Sequence, residues 1–321
     1  MNTSDEHGAE SLAPGAGQAQ PSQPGGLRPN WRMPTLGGRH LWADELFFHG
    51  WHIQQNVVSG HYRLLDADNW RHAWGTFEHC QARLAEIRAS RRLPPMHGSG
   101  LILMHGLVRS AAHMAPLAQY LRDHTHHTVF NVTYPTTRGS IDEHAEQLAR
   151  LISRLDGIDD LWCVGHSLGN LVIRRYLAGI TDAERSRIRR MVMLGPPNQA
   201  ARMAEVFGRQ KWFGLLLGKA AAQLRDLPQA QHRLAVPTCP FGIIAGGRSG
   251  PRGYNPWLTG DNDLLVDVAS TRLPGAADFV VVPVIHAAMM SNPVVQQYTL
   301  RFLETGAFIS PESRQPIPAA V

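Results

Sequence analysis

Ser167 and His286 are the two side chains whose surroundings in the sequence best suit nucleophilic catalysis. Ser167 lies at the centre of residues 165–169, GHSLG, which match the pattern G-x-S-x-G. The pattern directly follows the apolar segment LWCV and directly opens LGNLVIRRYLAG, so we predict that Ser167 lies between a strand and a helix. A turn this sharp strains the Ser backbone and exposes its hydroxyl. The alternative interpretation is a Ser that only caps the helix.

His286 directly follows the apolar segment FVVVPVI and is the candidate general base for Ser167. An imidazole changes its charge near neutral pH, so it can take the proton of a Ser hydroxyl. In catalytic α/β folds that carry the Ser on such a strand-to-helix turn, an acid and then a His follow it along the chain, and the His comes after the last strand. The chain has 17 histidines, most of which must be structural or at the surface. His286 is the one whose position this order requires.

Three carboxylates lie in the segment TGDNDLLVDVAS, between the apolar segment FGIIAG and His286, namely Asp261, Asp263 and Asp267. One of them is expected to orient the imidazole and to stabilise its protonated form. The residues alone do not separate Asp261 from Asp263, because both flank Asn262. Asp267 is also suited to cap a short helix.

The backbone N–H groups of Leu107 and Leu168 are the candidate donors of an oxyanion hole. Leu168 follows the candidate nucleophile at the start of a predicted helix, where the helix dipole favours negative charge. Leu107 follows His105-Gly106 at the end of the apolar segment LILM. The loop after such a strand supplies the second donor, and Gly106 lets its backbone turn toward a substrate.

The elements that must position these residues form an alternating pattern of strands and helices. Continuous apolar segments separated by helices predict an α/β fold with a mostly parallel central sheet and helices on both faces. Ligands then bind at the carboxyl ends of the strands, where every candidate residue lies. The predicted strands are LILMH from 101, TVFNVTY from 128, LWCVGH from 161, RMVMLG from 190, FGIIAG from 241 and FVVVPV from 279, and the predicted helices span 113–122, 140–155, 168–179 and 292–304.

The remaining segments extend this catalytic domain, which we place at 99–308. The segment WHIQQNVV, the pair Ser-Gly and the segment HYRLL predict a hairpin, and apolar spacing predicts a helix over 66–92. The apolar insertion 199–227 is expected to form either a cap with an acyl pocket or a crossover helix on the sheet. The predicted domains are a disordered tail at 1–38, a hairpin and helix packed on the core at 39–98, the catalytic domain at 99–308, and a second tail at 309–321.

Composition and charge argue against several classes of protein. The net charge is +5, but basic and acidic residues are interspersed, so nucleic-acid binding is not expected. The sequence has neither the apolar core of a signal peptide nor an apolar stretch of membrane-spanning length. Three widely spaced cysteines suit reduced thiols. These features favour a cytoplasmic protein without stable membrane insertion, and they say nothing of its oligomeric state.

No metal or organic cofactor is expected. His124, His126 and His127 are close in sequence, but they lie in a polar loop without a carboxylate or thiol pattern that would complete a metal site. The segment GGRSG from 246 is rich in glycine, yet it lacks the spacing and the Lys of a phosphate-binding loop.

The chain resembles the α/β-hydrolase superfamily, in its lipase and carboxylesterase branch. The resemblance covers about residues 99–305 and rests on HGL at 105, GHSLG at 165 and the final His286. Similar bacterial lipases carry Asn-Asp-Gly, an apolar residue and Val in the acid loop. Residues 262–266, NDLLV, match that pattern except that Leu264 replaces the Gly, so the resemblance favours Asp263 as the acid.

The resemblance implies a serine hydrolase that forms an acyl-enzyme on Ser167. The expected substrate is a small-molecule or lipid ester. The same three residues also suit acyl transfer to an alcohol, or cleavage of an amide or thioester, because a fold does not fix its chemistry. A non-catalytic binding protein with a hydrolase-like fold is the alternative from another class.

Overall fold

The computed structural model describes residues 33–34, 41–199 and 233–319. The strands are β1 (Met33–Pro34), β2 (Trp42–Phe48), β3 (Trp51–Asn56), β4 (Tyr62–Leu65), β5 (Trp70–Gly75), β6 (Gly98–Met104), β7 (Thr128–Val132), β8 (Ile158–His166), β9 (Ile188–Leu194), β10 (Phe241–Gly246) and β11 (Asp278–Val282). The helices are α1 (Phe77–Ser90), α2 (Ala111–His124), α3 (Ile141–Ser153), α4 (Leu168–Gly179), α5 (Asp182–Ser186), α6 (Val268–Thr271) and α7 (Pro293–Thr305).

The six predicted apolar segments form one parallel sheet in the order β11-β10-β9-β8-β6-β7. Alternate side chains of a strand point to opposite faces, and here both faces are covered. Leu101 and Leu103 pack with α2 and α7, whereas Ile102 and Met104 pack with α3 and α4. The α/β fold with helices on both faces of a parallel sheet is therefore confirmed.

The helices that flank this sheet begin and end at residues with capping functions. Helix α3 starts with a capping box in which Ser140 and Glu143 each bond to the other's backbone N–H. Helix α7 starts after Asn292, whose side chain accepts from Val294 N and Val295 N, and it ends at Gly306 in a left-handed conformation (φ 75°). Helices α2, α3, α4 and α7 match the predicted helices within about two residues.

A second, antiparallel sheet precedes the parallel one, in the order β1-β5-β4-β3-β2. The predicted hairpin is its β3-β4 pair, which confirms that part of the prediction. The predicted helix over 66–92 is wrong in its first third, because Trp70–Gly75 is strand β5. Gly75 adopts φ 139°, so the chain turns there and the strand ends. Thr76 then caps α1 by accepting from His79 N.

Two adjacent buried carboxylates join the antiparallel sheet to the rest of the protein. Asp44 on β2 donates its N–H to Thr133 O (2.9 Å) and accepts from Thr133 N at Oδ2 (2.6 Å), directly after β7. Glu45 forms ion pairs with Arg150 (2.9 Å) and Arg154, at the end of α3. Strand β2 is thereby bonded to the residue that directly follows β7.

Part of the C-terminal segment 309–319 is bonded to residues at and just before the start of β11, which is one edge of the parallel sheet. Ile317 donates its N–H to Ala276 O (2.9 Å) and accepts from Gly275 N (2.9 Å). Gln315 N donates to Asp278 Oδ1 at 2.9 Å. The two expected features at 1–38 and 199–227 lie outside the described residues, apart from Met33–Pro34 and Gln199.

Cys80 and Cys163 are free and buried, and Cys239 is free and half-buried. Within residues 41–199 and 233–319, no helix combines the length and the apolar character that crossing a membrane requires.

Candidate active site

Ser167 occupies the strained turn that its sequence context predicts. It lies between the last residue of β8 and the first residue of α4, with φ 53° and ψ −121°. A positive φ is uncommon for a residue with a side chain. Its N–H donates to Leu194 O at 2.9 Å, but its side chain makes no capping bond to α4. Ser167 thus occupies the N-cap position of α4, but its hydroxyl makes no capping bond there.

Two glycines allow the turn to be this tight. A Cβ on Gly165 would lie 2.3 Å from Asn170 Oδ1, and a Cβ on Gly169 would lie 2.3 Å from Met104 O. Both distances are far below van der Waals contact, so neither position accepts a side chain. Asn170 braces the same turn by donating from Nδ2 to Ser167 O (3.2 Å) and to Leu194 O (3.3 Å).

Asp263 and His286 form a buried hydrogen-bonded pair. The His286 Nδ1–H donates to Asp263 Oδ2 at 2.6 Å, and the side chains of His286 and Asp263 are 7 % and 0 % exposed. The other oxygen, Oδ1, accepts from Leu265 N (3.0 Å) and Val266 N (2.8 Å), while His286 N donates to Asp263 O (2.8 Å). The carboxylate is thus fixed by its own loop. With Nδ1 bound to it, Nε2 is the nitrogen left to accept a proton.

The other two candidate acids have different partners. Asp261 accepts from Arg248 N (2.7 Å) and Ser249 N (2.8 Å), so it shapes the loop after β10. Asp267 accepts from Ser270 N (2.9 Å) as the N-cap of α6, which confirms that alternative for Asp267. Of the three, the structure brings only Asp263 to His286.

Leu264 replaces the Gly of similar lipases, and the structure shows what that position demands. Leu264 adopts φ 88°, a conformation that glycine accepts readily and a branched side chain does not. The acid loop thus keeps the backbone shape suited to Gly, although its side chain is Leu. Asp263, directly before it, still reaches His286.

The loop after β6 passes directly over Ser167. A Cβ on Gly106 would lie 3.1 Å from Ser167 Cβ, so this loop and the Ser are in close contact. The Tyr134 hydroxyl donates to His105 O, and Val108 N donates to Thr136 Oγ1 (3.0 Å), which fixes the loop on both sides of Leu107. Leu107 thus lies on a held loop beside the Ser.

Leu168 lies on the other side of the Ser, as the first residue of α4. The first N–H groups of a helix have no carbonyl partner within the helix, and the helix dipole places partial positive charge there. Leu107, on the loop after β6, and Leu168, at the start of α4, therefore lie close to Ser167 in the structure and along the chain, respectively.

Two residues that the sequence did not single out connect Ser167 to His286. His166 Nε2–H donates to His286 O at 3.2 Å, and the centroids of the two rings are 4.5 Å apart. Gly195 has φ 50°, and a Cβ there would lie 3.0 Å from His286 Nδ1 and 3.3 Å from Asp263 Oδ2. The feature of the sequence that could have indicated Gly195 as a site residue is its position directly after the strand RMVML, at the carboxyl edge of the sheet.

Burial keeps the imidazoles around His286 neutral. Burial lowers the pKa of His166 well below its ordinary value, and the nearby charges of His286 and His113 lower it further. The pKa of His113 is lowered by burial, then by Arg109 and His286. Because neither His166 nor His113 gains a proton readily, neither ring places a permanent positive charge next to His286.

The described residues contain no group of three His, Cys, Asp or Glu side chains that could hold a metal ion. Two of the clustered histidines have separate partners. His124 Nδ1 bonds to Tyr120 O (2.7 Å), and His127 Nδ1 is 2.6 Å from Ser99 Oγ.

Comparison with known proteins places this site in a family. A search of curated proteins found no significant match. Solved structures that resemble the chain include a gene product of Listeria innocua (18% identity, 70% of this chain and 99% of that chain, TM-score 0.47). Others are a thermophilic esterase of Thermogutta terrifontis (15%, 65% and 91%, 0.46) and Est1E of Butyrivibrio proteoclasticus with bound ferulic acid (15%, 67% and 91%, 0.44).

The family match, rather than these distant structures, identifies the chain. A family model described as the alpha/beta hydrolase family matches residues 101–311, which include every candidate site residue. The matched range begins in β6 and ends beyond α7, so it spans the whole parallel sheet. The chain belongs to the alpha/beta hydrolase family.

Proposed function

We propose that the protein is a serine hydrolase that cleaves carboxylic esters through an acyl-enzyme on Ser167. The observation that carries this proposal is the buried Asp263–His286 pair together with a Ser held at φ 53°, whose direct neighbour His166 bonds to His286 O. Ser167 acts as the nucleophile, His286 as the general base and Asp263 as the acid that orients the imidazole. Family membership supports hydrolase chemistry, and these residues supply a specific route for it.

In the acylation step, Ser167 Oγ attacks the ester carbonyl carbon while His286 Nε2 takes the hydroxyl proton. The carbonyl oxygen gains negative charge, which the N–H groups of Leu107 and Leu168 stabilise by hydrogen bonding. When the tetrahedral intermediate collapses, the bond to the alcohol oxygen breaks and His286 returns its proton to that oxygen. The alcohol leaves, and the acyl group stays bonded to Ser167.

In the deacylation step, water replaces Ser167 as the nucleophile. His286 takes a proton from the water as its oxygen attacks the acyl carbonyl, and the same two N–H groups stabilise the second oxyanion. Collapse releases the carboxylic acid, and the proton on His286 returns to Ser167 Oγ. Asp263 keeps its charge throughout and fixes the tautomer that leaves Nε2 available.

Hydrolysis of p-nitrophenyl esters with increasing acyl length tests the reaction and narrows the substrate. We expect turnover by the wild type and loss of nearly all of it in Ser167→Ala, with Ser249→Ala as the matched control. The losses from Ser167→Ala and His286→Ala should be far from additive, because the His acts only through the Ser. Turnover that survives in Ser167→Ala would contradict the assignment. Acyl transfer to an added alcohol in place of acid release would identify an acyltransferase.

A further inference from the structure

The loop that carries Asp263 also presents a basic and apolar surface to solvent. Trp257 is 86 % exposed, Leu264 39 % and Leu265 42 %, and Arg248 and Arg252 are exposed on the same loop. We call these five residues the acid-loop surface. Single exposed apolar residues are common on proteins, but a grouped set that includes a Trp marks an interaction site.

Hydrogen bonds hold the apolar part of this surface together. The Asn255 side chain donates to Leu264 O (3.0 Å) and accepts from Trp257 N (3.0 Å). Asn255 is tied in turn to Asn262, which accepts from Asn255 N (2.8 Å) and donates to Asn255 O (3.0 Å). These bonds hold the turn that carries Trp257 next to the Leu264 backbone, so Trp257 lies on a loop whose shape is fixed by hydrogen bonds.

Backbone strain at the rim of the site has no explanation in packing. Leu264 (φ 88°) and Val108 (φ 54°, 44 % exposed) both adopt a left-handed conformation that disfavours their branched side chains. Neither side chain is buried, so apolar packing does not offset this cost, and the two conformations are held by hydrogen bonds of Val108 N to Thr136 Oγ1 and of the Asn255 side chain to Leu264 O. Backbone strain of this kind clusters at functional sites.

The basic side chains around this apolar group are exposed to solvent, whereas the acidic side chains are buried or half-buried. Arg248 and Arg252 are exposed, whereas Asp263 and Asp267 are buried and Asp261 is half-buried against two backbone N–H groups. The outward charge of the loop is therefore positive. Trp favours the headgroup layer of a bilayer, and Arg next to it is attracted to anionic lipids.

We propose that the acid-loop surface docks on an anionic lipid bilayer. Trp257, Leu264 and Leu265 enter the headgroup layer, and Arg248 and Arg252 contact acidic headgroups. Because Leu264 and Leu265 directly follow Asp263, docking sets the catalytic end of the sheet against the membrane. The docking does not depend on the catalytic residues. Only its consequence, access to esters held in the bilayer, rests on the proposed function.

Sedimentation with vesicles tests the docking without any turnover. The full chain carrying Ser167→Ala is mixed with phosphatidylcholine vesicles that contain or lack phosphatidylglycerol. We expect binding to the anionic vesicles, weakened about tenfold by Trp257→Ala and about fivefold by each of Arg248→Gln and Arg252→Gln. Added salt should weaken the binding, because it screens the Arg charges.

Two further variants make the result specific. Leu264→Gly removes an apolar side chain where the backbone suits Gly, so it should fold and still bind more weakly. Val58→Ala is the control, because Val58 is 68 % exposed on the turn after β3 and should bind like the parent. Absence of vesicle binding, or binding that survives both Trp257→Ala and Leu264→Gly, would overturn the proposal. So would a lipid-independent dimer that Trp257→Ala dissociates, which would assign the surface to a protein contact.

Discussion

Among the described residues, two pairs join a His Nδ1 to a fully buried Asp carboxylate, one at the candidate active site and one in the antiparallel sheet. His286 Nδ1 donates to Asp263 Oδ2 at 2.6 Å, and His52 Nδ1 lies 2.8 Å from Asp44 Oδ1. Both carboxylates are fully buried, and each accepts two further N–H groups. Of these two, the first is bonded to His166, the direct neighbour of a Ser on a strained turn. A His–Asp pair alone therefore does not identify a catalytic site, and its neighbours decide its use.

The second pair has a structural role that its partners make clear. Asp44 accepts from Gln54 Nε2 (2.8 Å) and from Thr133 N (2.6 Å), so it joins the antiparallel sheet to the end of β7. Its bonds hold elements together, whereas those of Asp263 fix one imidazole. The two carboxylates should consequently differ in what their loss affects, with activity depending on Asp263 and stability on Asp44.

The largest expected effect is that of Asp263→Asn on turnover. The amide keeps the shape of the carboxylate but favours the wrong imidazole tautomer, a change that lowers kcat about ten-thousand-fold in a serine protease. We expect a loss of that order in p-nitrophenyl ester hydrolysis. Asp261→Asn is the matched control, because Asp261 bonds only to loop backbone in the described structure, and it should cost far less. A large loss in Asp261→Asn with near-normal turnover in Asp263→Asn would reassign the acid.

Asp44→Asn should act on stability instead. An amide cannot accept from donors on both sides, so at least one of the N–H groups of His52, Gln54 and Thr133 loses its partner. We expect the free energy of unfolding to fall by about 1–3 kcal/mol in urea titration. The exposed Asp68→Asn serves as the control, and turnover of folded Asp44→Asn should stay close to that of the wild type. A loss of turnover as large as that of Asp263→Asn would contradict the division of roles.

The buried histidine of α3 makes stability depend on pH. Burial lowers the pKa of His144 from 6.5 to about 4. Between these values the unfolded chain binds a proton that the native protein does not, so the free energy of unfolding falls as the pH decreases, by about 1.4 kcal/mol per pH unit for each such group. The lowered pKa values of His166 and His113 act in the same direction. His144→Gln should make the free energy of unfolding depend less on pH between pH 4 and 6.5, because it removes the contribution of one such group. An unchanged slope would contradict the neutral state of His144.

The smallest expected effect is a gain in stability from Leu264→Gly. Glycine relieves the cost of φ 88° but adds freedom to the unfolded chain, so we expect a net gain of about 0.5–1 kcal/mol in the free energy of unfolding. Leu265→Gly, at the next position and without a positive φ, should lower that free energy instead. A loss in Leu264→Gly equal to that in Leu265→Gly would show that the Leu264 side chain contributes packing.

The parallel sheet and the Ser turn are predictable from the sequence because their signals are local. Each buried strand is a continuous apolar segment, and GHSLG sits between one of them and a helix. The position of His286 follows from chain order. The choice of Asp263 needed the resemblance to lipases, because Asp261 and Asp263 are equivalent in local sequence.

The antiparallel sheet is less predictable because its contacts are distant in sequence. Asp44 and Thr133 are 89 residues apart, and no local pattern announces their bond. The four-residue spacing of Trp70 and Trp74 fits a helix as well as it fits strand β5. The strand ends at Gly75 because of the positive φ of that residue, which is a feature of the three-dimensional structure and not of the sequence pattern. The contact of Gly195 with His286 is equally non-local.

Covalent labelling with a fluorophosphonate is the most direct test of the central claim, that Ser167 is an activated nucleophile. The phosphonyl group should form one adduct per chain, and peptide mass spectrometry should place it on Ser167. Ser167→Ala should not be labelled, and His286→Ala should react far more slowly, because the hydroxyl then lacks its base. Labelling at another Ser, or labelling that persists in Ser167→Ala, would contradict the account.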